Sequence, residues 1–416
     1  MKKKLNMTNQ IMIAMVAGML VGLIVGPAIA PVKVLGDIFL RLIQMSVVVL
    51  IMGAVIEAVG SLDPKELGKL GGKIFAWFMG LTAIAAFVGI ALGYIIKPGA
   101  GLNMDIGTTT VTATTQSITD MIVEFFPTNI IDSMAKANMI QAIIFSVLFG
   151  LSLSVIGKEN KDNVVLNFIR AFNVAILNVV KMVMKFAPIG IFALLAWVTG
   201  TIGIQVIIPL AKFLGAMAIG SILYMIGVIL FSAAYVKVSP VKLTQKLWKM
   251  TVVAFTTTSS AITLPTKMED SEIKIGVSKR ISRLVNPLGM ALNSNGLSLY
   301  LSLACITLAQ FYGIEMSIAE LVKIVVLSTL ACLGTVVVPG GGLVALATVL
   351  PAMGLPPESI ALLAGIDWFS GMFRTVLNVD VDAIVSMIIA ADEKELDYDI
   401  FNGKKVITEA IDPNQI

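Results

Sequence analysis

Long runs of apolar residues, separated by short polar loops, dominate the first 235 residues of the chain. A helix needs about 20 such residues to cross the ~30 Å hydrocarbon layer of a bilayer. Six runs are long enough: Ile11–Ile29, Val34–Val59, Lys73–Ile96, Asn129–Ile156, Val164–Val198 and Val206–Tyr235. The pattern therefore predicts six membrane-spanning helices in this part of the chain.

Basic residues are concentrated in alternate loops between these runs. Lysines occur at Lys2–Lys4, in the Ser61–Lys73 and Gly157–Asn163 loops, and again after the sixth run. The loops near Gly26–Val32 and Gly200–Gln205 have almost none. Because short cytoplasmic loops are enriched in Lys and Arg, this alternation predicts a cytoplasmic N-terminus, and the lysine-containing tail predicts a cytoplasmic C-terminus.

After residue 237 the apolar runs are interrupted. Trp248–Leu264 contains the hydroxyl cluster Thr256–Ser260, and a basic stretch, Thr266–Arg283, which includes Lys267, follows it. We interpret that stretch as a cytoplasmic loop, so the chain leaves on the side from which it entered. This favours a re-entrant hairpin with a hydroxyl-rich tip over a span, although a Ser/Thr cluster alone is also common at ordinary helix contacts.

Two further apolar elements contain breaks. Leu284–Phe311 includes NPLGMALNSNG at Asn286–Gly296, which predicts an unwound segment, and Leu321–Val338 continues into Pro339–Gly342. Irregular backbone at membrane depth is tolerated where it is buried in protein or lines a cavity. Paired, opposed interruptions of this kind are typical of the midplane site of secondary transporters. The predicted fold class is an all-α polytopic membrane protein with inverted repeats.

The last apolar run, Ile360–Ala391, carries more charge than a spanning helix usually tolerates outside a functional site. At about 100° per residue, five polar or small residues fall within an arc of about 80°: Asp367, Gly371, Arg374, Asn378 and Asp382. Asp380 falls on the opposite side, towards the headgroups or a neighbouring helix. An ion pair that merely joins helices is the alternative, but five aligned positions favour a stripe that faces substrate.

Composition narrows the class of protein. The 416 residues are 57% hydrophobic and 13% charged, with a mean hydropathy of +0.94, whereas soluble domains are about 25% charged. The chain has no histidine and only two cysteines, Cys305 and Cys332, which excludes the usual zinc, copper and haem sites. The net charge of +4 is too small and scattered to indicate nucleic-acid binding. We therefore expect a transporter rather than an enzyme, with no organic cofactor.

An anionic substrate needs a fixed cation and hydrogen-bond donors in a dry site. Arg374 offers a planar fork that suits a carboxylate, and Asp367, two turns earlier, would orient it. The hydroxyls of Thr258–Ser260 and the N-termini of interrupted helices would add donors. Asp382 and the carbonyls of an unwound Gly289–Asn293 segment are hard oxygen ligands, which suit Na⁺.

Four ordered motifs in the chain resemble the dicarboxylate/amino acid:cation symporters, a family that includes the archaeal aspartate transporters and the excitatory amino acid transporters. They are TTTSSAITLP, NPLGMALNSNG, VVVPGGGL and IDWFSGMFRTVLNVDVD, and the likeness extends over nearly the whole chain. The resemblance implies eight transmembrane helices with two re-entrant hairpins, a homotrimer in the plasma membrane, and an elevator movement of each transport domain.

The resemblance also implies a division of the chain. Residues 1–70 (spans one and two) and 99–200 (an external linker with spans four and five) would form a trimerisation scaffold. Residues 71–98 (span three) and 201–392 (span six, both hairpins, the broken span seven and span eight) would form the transport domain. Residues 393–416 would be a cytoplasmic tail.

By the same resemblance, a set of residues on the hairpins and the last helix would contact the substrate: Thr258, Ser259, Ser260, Val338, Pro339, Gly340, Gly341, Asp367, Gly371, Arg374, Thr375 and Asn378. One sodium site would be formed by Gly289, Asn293, Asn378 and Asp382. A second sodium site would involve Gly334 and Thr335 of the second hairpin. The coupling ion would be Na⁺, with H⁺ as the alternative.

The chain departs from the family's pattern in the broken helix. Residues 293–297 read Asn-Ser-Asn-Gly-Leu, where the family usually has Asn-Met-Asp-Gly-Thr. Asn295 thus replaces a carboxylate, and Leu81 and Thr82 align with two hydroxyl residues, of which one is lost. A buried sodium site is therefore expected to be absent or weak.

A second departure concerns the substrate. Gly371 stands where amino acid members carry an Asp that holds the ammonium group. With the arginine kept and this partner missing, we expect a dicarboxylate without an amino group, such as succinate, fumarate or malate. An acidic amino acid is the alternative substrate. An anion channel is a more distant alternative, because a channel should place cationic residues on several helices.

Overall fold

The computed structural model describes residues 7–61, 70–101, 123, 126–136, 138–157, 163–333 and 341–405. These residues are almost entirely helical, and they contain no β-strand beyond one isolated antiparallel bridge between Val277 and Leu396. Within the same ranges, four helical stretches are long and apolar enough to cross a membrane. Gly72–Ile96 and Ile207–Val236 are single helices, whereas Ile13–Phe39 includes a 3₁₀ turn and Lys279–Phe311 includes a break at Asn293 and Ser294.

The first half of the chain forms a series of apolar helices. They are α1 (Met7–Val25), a 3₁₀ turn (Gly26–Val32), α2 (Lys33–Gly60), α3 (Gly72–Ile96), α4 (Ile130–Ala135), α5 (Met139–Gly157), α6 (Val164–Met184), α7 (Ala187–Ile202) and α8 (Ile207–Val236). The predicted single span Val164–Val198 is therefore wrong, because the chain turns at Lys185 and Phe186 and starts a new helix. Pro188, in the first turn of α7, has a fixed φ and lacks an N–H, both of which suit a helix start.

The second half contains the interruptions expected from the sequence. Its elements are α9 (Pro240–Thr257), α10 (Ser260–Asp270), a π-helical turn (Ser271–Ile275), α11 (Lys279–Leu292), α12 (Asn295–Phe311), α13 (Ile318–Leu330), α14 (Gly341–Ala352), α15 (Ile360–Ala364), α16 (Asp367–Asp392) and α17 (Tyr398–Asn402). Helices α9 and α10 pack against each other as a hairpin. The tip expected between α13 and α14, including Gly334, Thr335, Val338, Pro339 and Gly340, lies outside the described residues.

Two details of this half differ from the prediction. The unwound segment is limited to Asn293 and Ser294, because α11 continues through Pro287 and the Gly289 carbonyl accepts a helical hydrogen bond from Asn293 N at 2.8 Å. The last apolar run is not one helix, since it turns at Gly365 and Ile366. Gly365 packs there so closely on Leu195 of α7 that an added Cβ would meet the leucine side chain at 2.6 Å.

The helices pack mainly in two groups. Helix α2 packs against α5, α6 and α7, and α1 lies along α7. Helix α16 instead packs against α8, α9, α11 and α12, and α3 lies along α12. Every residue of α12 except Gln310 is buried, as is nearly all of α16 from Leu377 to Ala390. The polar residues of α16 are therefore enclosed by the hairpin and the broken helix.

Candidate functional site

The tip of the first hairpin presents hydroxyl groups to the interior. Thr258 adopts left-handed backbone angles (φ 49°, ψ 31°) and ends α9, and the Ser259 hydroxyl then caps α10 by accepting from Ile262 N at 3.3 Å. Ser260 is 1% exposed, and its Oγ finds no hydrogen-bond partner among the described residues. A buried hydroxyl without a partner, beside a helix N-terminus, is suited to an anionic ligand.

Arg374 lies at the centre of the buried stripe on α16. Its Nη2 is 2.9 Å from Asp367 Oδ1 and donates to the Asp367 carbonyl at 3.1 Å. The guanidinium also lies over the Tyr300 ring, with 4.4 Å between Cζ and the ring centroid. Arg374 Nη1 has no hydrogen-bond partner within the described residues, although the side chain is buried. Nη1 therefore keeps hydrogen-bond donors that no described group uses, and a carboxylate is the acceptor that suits them best.

Asp367 supports this arrangement from the first residue of α16, rather than from the middle of a longer helix as the sequence indicated. A carboxylate in a first helical turn is stabilised by the helix dipole. Both members of the pair are nearly buried, with side-chain exposures of 9% for Arg374 and 5% for Asp367. The pair therefore sits in an environment that strengthens its attraction and requires hydrogen bonds for both partners.

Glycines bound the guanidinium on two sides. An added Cβ at Gly342, the second residue of α14, would collide with Arg374 Nη1 and Asp367 Oδ1. Gly341, the other described residue predicted on this hairpin, begins α14 immediately before it. At Gly371 an added Cβ would meet only Arg374 Nη2, at 3.2 Å. The missing side chain at Gly371 therefore leaves space directly beside the guanidinium.

Further along the stripe, polar groups are used by the protein itself. Asn378 Oδ1 accepts from Gly296 N at 2.8 Å, which satisfies one of the free N–H groups at the start of α12. Thr375 Oγ1 donates to the Gly371 carbonyl at 2.8 Å. Asn378 therefore fixes the start of the second half of the broken helix.

Asp382 forms a buried ion pair that the sequence analysis missed. Lys267 Nζ lies 2.5 Å from Asp382 Oδ2, and both side chains are 0% exposed. The ammonium also donates to the Asn286 carbonyl at 3.0 Å. The assignment of Lys267 to a cytoplasmic loop is therefore wrong. Ser260, Thr263 and Lys267 follow one another at helical spacing, and this common face was the available indication that the lysine points inward.

The predicted ligands at Asp382 come together but do not fit a free sodium site. Asp382 Oδ1 accepts from Asn293 Nδ2 at 2.8 Å, while Oδ2 is paired with Lys267. The Gly289 and Asn378 oxygens already accept backbone N–H groups. Gly289 is close enough to Asp382 that an added Cβ would collide with the carboxylate. An ammonium thus occupies the position next to Asp382 that a cation would need.

The residues around the substituted Asn295 form a closed hydrogen-bond network. Asn295 Nδ2 donates to Asn293 Oδ1 at 2.7 Å, and the Tyr224 hydroxyl lies 3.1 Å from Asn295 Oδ1 and 2.8 Å from the Leu81 carbonyl. Thr82 Oγ1 donates to Asn293 Oδ1 at 3.2 Å. Protein donors therefore occupy these side-chain and backbone oxygens.

Asp380 faces a neighbouring helix instead of the stripe. It is 2% exposed, and its Oδ2 accepts from Thr251 Oγ1 of α9 at 2.7 Å. Of the two surroundings considered for this residue, the headgroup region does not fit its burial. Asp380 instead joins α16 to the first arm of the hairpin.

The chain is similar in sequence to known transporters over most of its length. A model of the sodium:dicarboxylate symporter family matches residues 7–392. A proton/glutamate-aspartate symporter of Bacillus subtilis (strain 168) is 34% identical over 92% of this chain and 94% of its own length. A proton/sodium-glutamate symport protein of Bacillus caldotenax is 34% identical over 98% and 99%. A C4-dicarboxylate transport protein of Bacillus subtilis (strain 168) is 31% identical over 95% and 96%.

Proposed function

Because the chain belongs to the sodium:dicarboxylate symporter family, we propose that it is a secondary active symporter of a small dicarboxylate such as succinate, fumarate or malate. Its relatives are transporters rather than enzymes, and the family with its apolar helices makes it a multi-pass protein of the plasma membrane. Coupling to a cation gradient, with Na⁺ or H⁺ as the ion, completes the proposal.

The observation that carries the proposal is the Arg374 guanidinium with its unpaired Nη1 edge. One substrate carboxylate would bind there, and the other would bind the Ser260 hydroxyl and the N-terminus of α10. Gly371 supports a substrate without an amino group, because no carboxylate stands beside the guanidinium on that side. Each end of the proposed site would thus bind one carboxylate of the substrate.

An acidic amino acid is the second candidate substrate. Two of the relatives named above are glutamate or glutamate-aspartate symporters. In this structure the nearest carboxylate to Arg374 is that of Asp367, which is already paired with it. An ammonium group would therefore have to share that carboxylate, which lowers its expected affinity.

The elevator mechanism is part of the proposal and is supported by the packing. Helices α1, α2, α5, α6 and α7 would form the fixed scaffold of a homotrimer. The group built on α3, α8, α9, α10, α11, α12, α14 and α16 would carry the substrate. The first arm of the second hairpin, α13, lies along α3, so it would move with that group.

Uptake by purified protein in liposomes tests the proposal. Labelled succinate and labelled aspartate should be compared, with Na⁺ and pH gradients imposed separately. We expect succinate to be taken up and unlabelled succinate to compete better than aspartate. Better competition by aspartate would contradict the inference from Gly371, and the absence of uptake of both would contradict the proposed function.

Arg374→Ala should lower succinate affinity about 100-fold, since a charge-assisted bidentate contact contributes about 3 kcal/mol. Arg374→Lys keeps the charge but lacks the planar guanidinium fork. Its succinate affinity should therefore lie between those of the wild type and Arg374→Ala. Arg170→Ala, at an exposed arginine of α6, is the matched control and should bind normally. Unchanged succinate affinity in a folded Arg374→Ala protein would contradict the proposal that Arg374 binds a substrate carboxylate.

A further inference from the structure

We propose that Lys267 is a resident cation that takes the place of a sodium ion at Asp382, so that the protein binds its substrate without Na⁺ at this position. The inference rests on the proposed function only where it concerns substrate. Lys267, a side chain of the protein itself, would determine which cations the site at Asp382 accepts.

Both oxygens of the Asp382 carboxylate already have a protein partner. Asp382 Oδ2 is 2.5 Å from Lys267 Nζ, and Oδ1 accepts from Asn293 Nδ2 at 2.8 Å. The Asn286 carbonyl accepts from the same ammonium at 3.0 Å. An entering Na⁺ would compete with a positive charge that is covalently attached and already hydrogen-bonded.

The ammonium group of Lys267 is enclosed by protein. Lys267 is 0% exposed and lies on α10 against α11 and α16. Displacing it from Asp382 would leave a buried charge without its carboxylate, which is strongly unfavourable in the protein interior. Other lysines on the same hairpin differ in this respect, because Lys249 and Lys274 form pairs in which their own side chains are 48% and 34% exposed.

Removal of the lysine would change what the pocket can bind. Asp382 Oδ2 and the Asn286 carbonyl would then face the space left by the ammonium, and both are hard oxygen ligands of the kind that bind Na⁺. Lys267→Met, which removes the charge and keeps most of the volume, should therefore convert the site into one that accepts an external cation. Lys267→Thr should do the same with more room.

The experiment measures thermal unfolding of the purified full-length protein in detergent, without substrate, in NaCl and in choline chloride of equal ionic strength. We expect any effect of Na⁺ on the wild-type midpoint to be the same in Asp382→Asn, because Na⁺ does not bind at Asp382. The Lys267→Met midpoint should be lower in choline and should rise with Na⁺ concentration, because a ligand that binds only the folded state stabilises it. Lys249→Met is the control for loss of a hairpin lysine and should behave like the wild type.

Two further measurements locate the effect. The double variant Lys267→Met/Asp382→Asn should lose the Na⁺-dependent rise. In succinate binding, Lys267→Met should be weakened in choline and recover in Na⁺, and this dependence on Na⁺ should exceed that of the wild type. If succinate does not bind at all, the proposed function fails while the unfolding experiment still reports on Lys267.

The outcomes are decisive in either direction. A Na⁺-specific rise of the wild-type midpoint that is lost in Asp382→Asn would overturn the proposal, because it would assign the ion to Asp382. A Lys267→Met or Lys267→Thr protein that folds and ignores Na⁺ would also overturn it. If neither variant folds, the comparison of the wild type with Asp382→Asn in the two salts decides. A purely structural ion pair would lower the midpoint of the variants without any recovery by Na⁺.

Discussion

At the scale of single residues, the site depends on a glycine, which has no side chain and so permits a close contact. Gly342 allows the start of α14 to touch the Arg374–Asp367 pair, and no larger residue would fit there. The contact places a helix N-terminus beside the guanidinium, and it closes the site on the side of the second hairpin. A methyl group at this position would move the very cation that is proposed to hold the substrate.

Gly342→Ala should therefore weaken succinate binding at least tenfold and lower stability by about 1–3 kcal/mol, the usual cost of overpacking. Substrate binding and thermal unfolding measure the two effects. Gly215→Ala is the matched control, because that glycine of α8 has open space around it, and an alanine should be tolerated in binding and unfolding alike. Equal succinate affinity and equal stability of Gly342→Ala and Gly215→Ala would contradict the close contact between Gly342 and Arg374.

The same scale shows how far the sequence could predict the site. Helical spacing places Asp367, Arg374 and Asp382 on one face, and the structure gives all three buried partners. Lys267 was missed because a lysine after an apolar run is usually a loop residue, and only its contact with Asp382, 115 residues away along the chain, identifies it as buried. Its helical spacing from Ser260 and Thr263 indicates which way the lysine points, but not that its partner is Asp382.

At the scale of elements, the hairpin helices begin at serine caps. Ser259 Oγ accepts from Ile262 N at 3.3 Å at the start of α10. Ser317 Oγ accepts from Glu320 N at 3.3 Å at the start of α13, and the Glu320 side chain returns to Ser317 N in a capping box. The two caps are chemically alike, but only Ser259 lies at the candidate substrate site.

Ser259→Ala and Ser317→Ala should each lower stability by about 1 kcal/mol, the typical contribution of an N-cap. Thermal unfolding measures this loss. Only Ser259→Ala should also weaken succinate binding, since it loosens the tip that presents Ser260. If Ser317→Ala weakened binding equally, the effect would be one of general stability and not of the first hairpin.

Element boundaries were harder to predict than the presence of interruptions. The sequence NPLGMALNSNG predicted a long unwound segment, yet only Asn293 and Ser294 leave the helix. Pro287 is accommodated inside α11, and the packing of α11 on α16 maintains the helix around it. Tertiary packing outweighs the local preference of Pro, Gly and Asn, and this packing cannot be inferred from one segment of sequence.

At the scale of the whole molecule, the end of α16 is tied to the segment that leaves the first hairpin. Glu395 Oε1 is 2.6 Å from Arg280 Nη2, and Ser278 Oγ donates to Glu395 Oε2 at 2.5 Å. The adjacent bridge between Val277 and Leu396 adds backbone pairing. Side-chain and backbone contacts therefore both join the first hairpin to the end of α16, and the two should move as one unit.

The hydrogen bond from Arg280, and then that from Ser278, holds the pKa of Glu395 below its usual range. A lowered pKa in the folded state contributes stability above the unfolded pKa of about 4.3 and loses it as the pH falls through the folded pKa. Glu395→Gln should therefore cost about 0.5–1 kcal/mol at neutral pH, a value typical of a partly exposed pair. Below about pH 4 the wild-type and variant midpoints should converge.

Thermal unfolding from about pH 3 to about pH 7 covers the loss of this contribution below the unfolded pKa and checks this expectation. Asp399→Asn, at an exposed pair with Lys404, is the control and should change the midpoint little at any pH. A Glu395→Gln deficit that grew on acidification would have the wrong sign and would refute the assignment.

The pairing of both buried cations has an electrical consequence. Arg374 is matched by Asp367 and Lys267 by Asp382, so the two pairs bring no net charge to the enclosed site. A dianion that enters this site would carry its two negative charges into the low-dielectric interior uncompensated by the protein. Each transport cycle would then have to bind cations from the solution to neutralise the substrate. The electrical current measured during uptake would report how many cations accompany each substrate molecule.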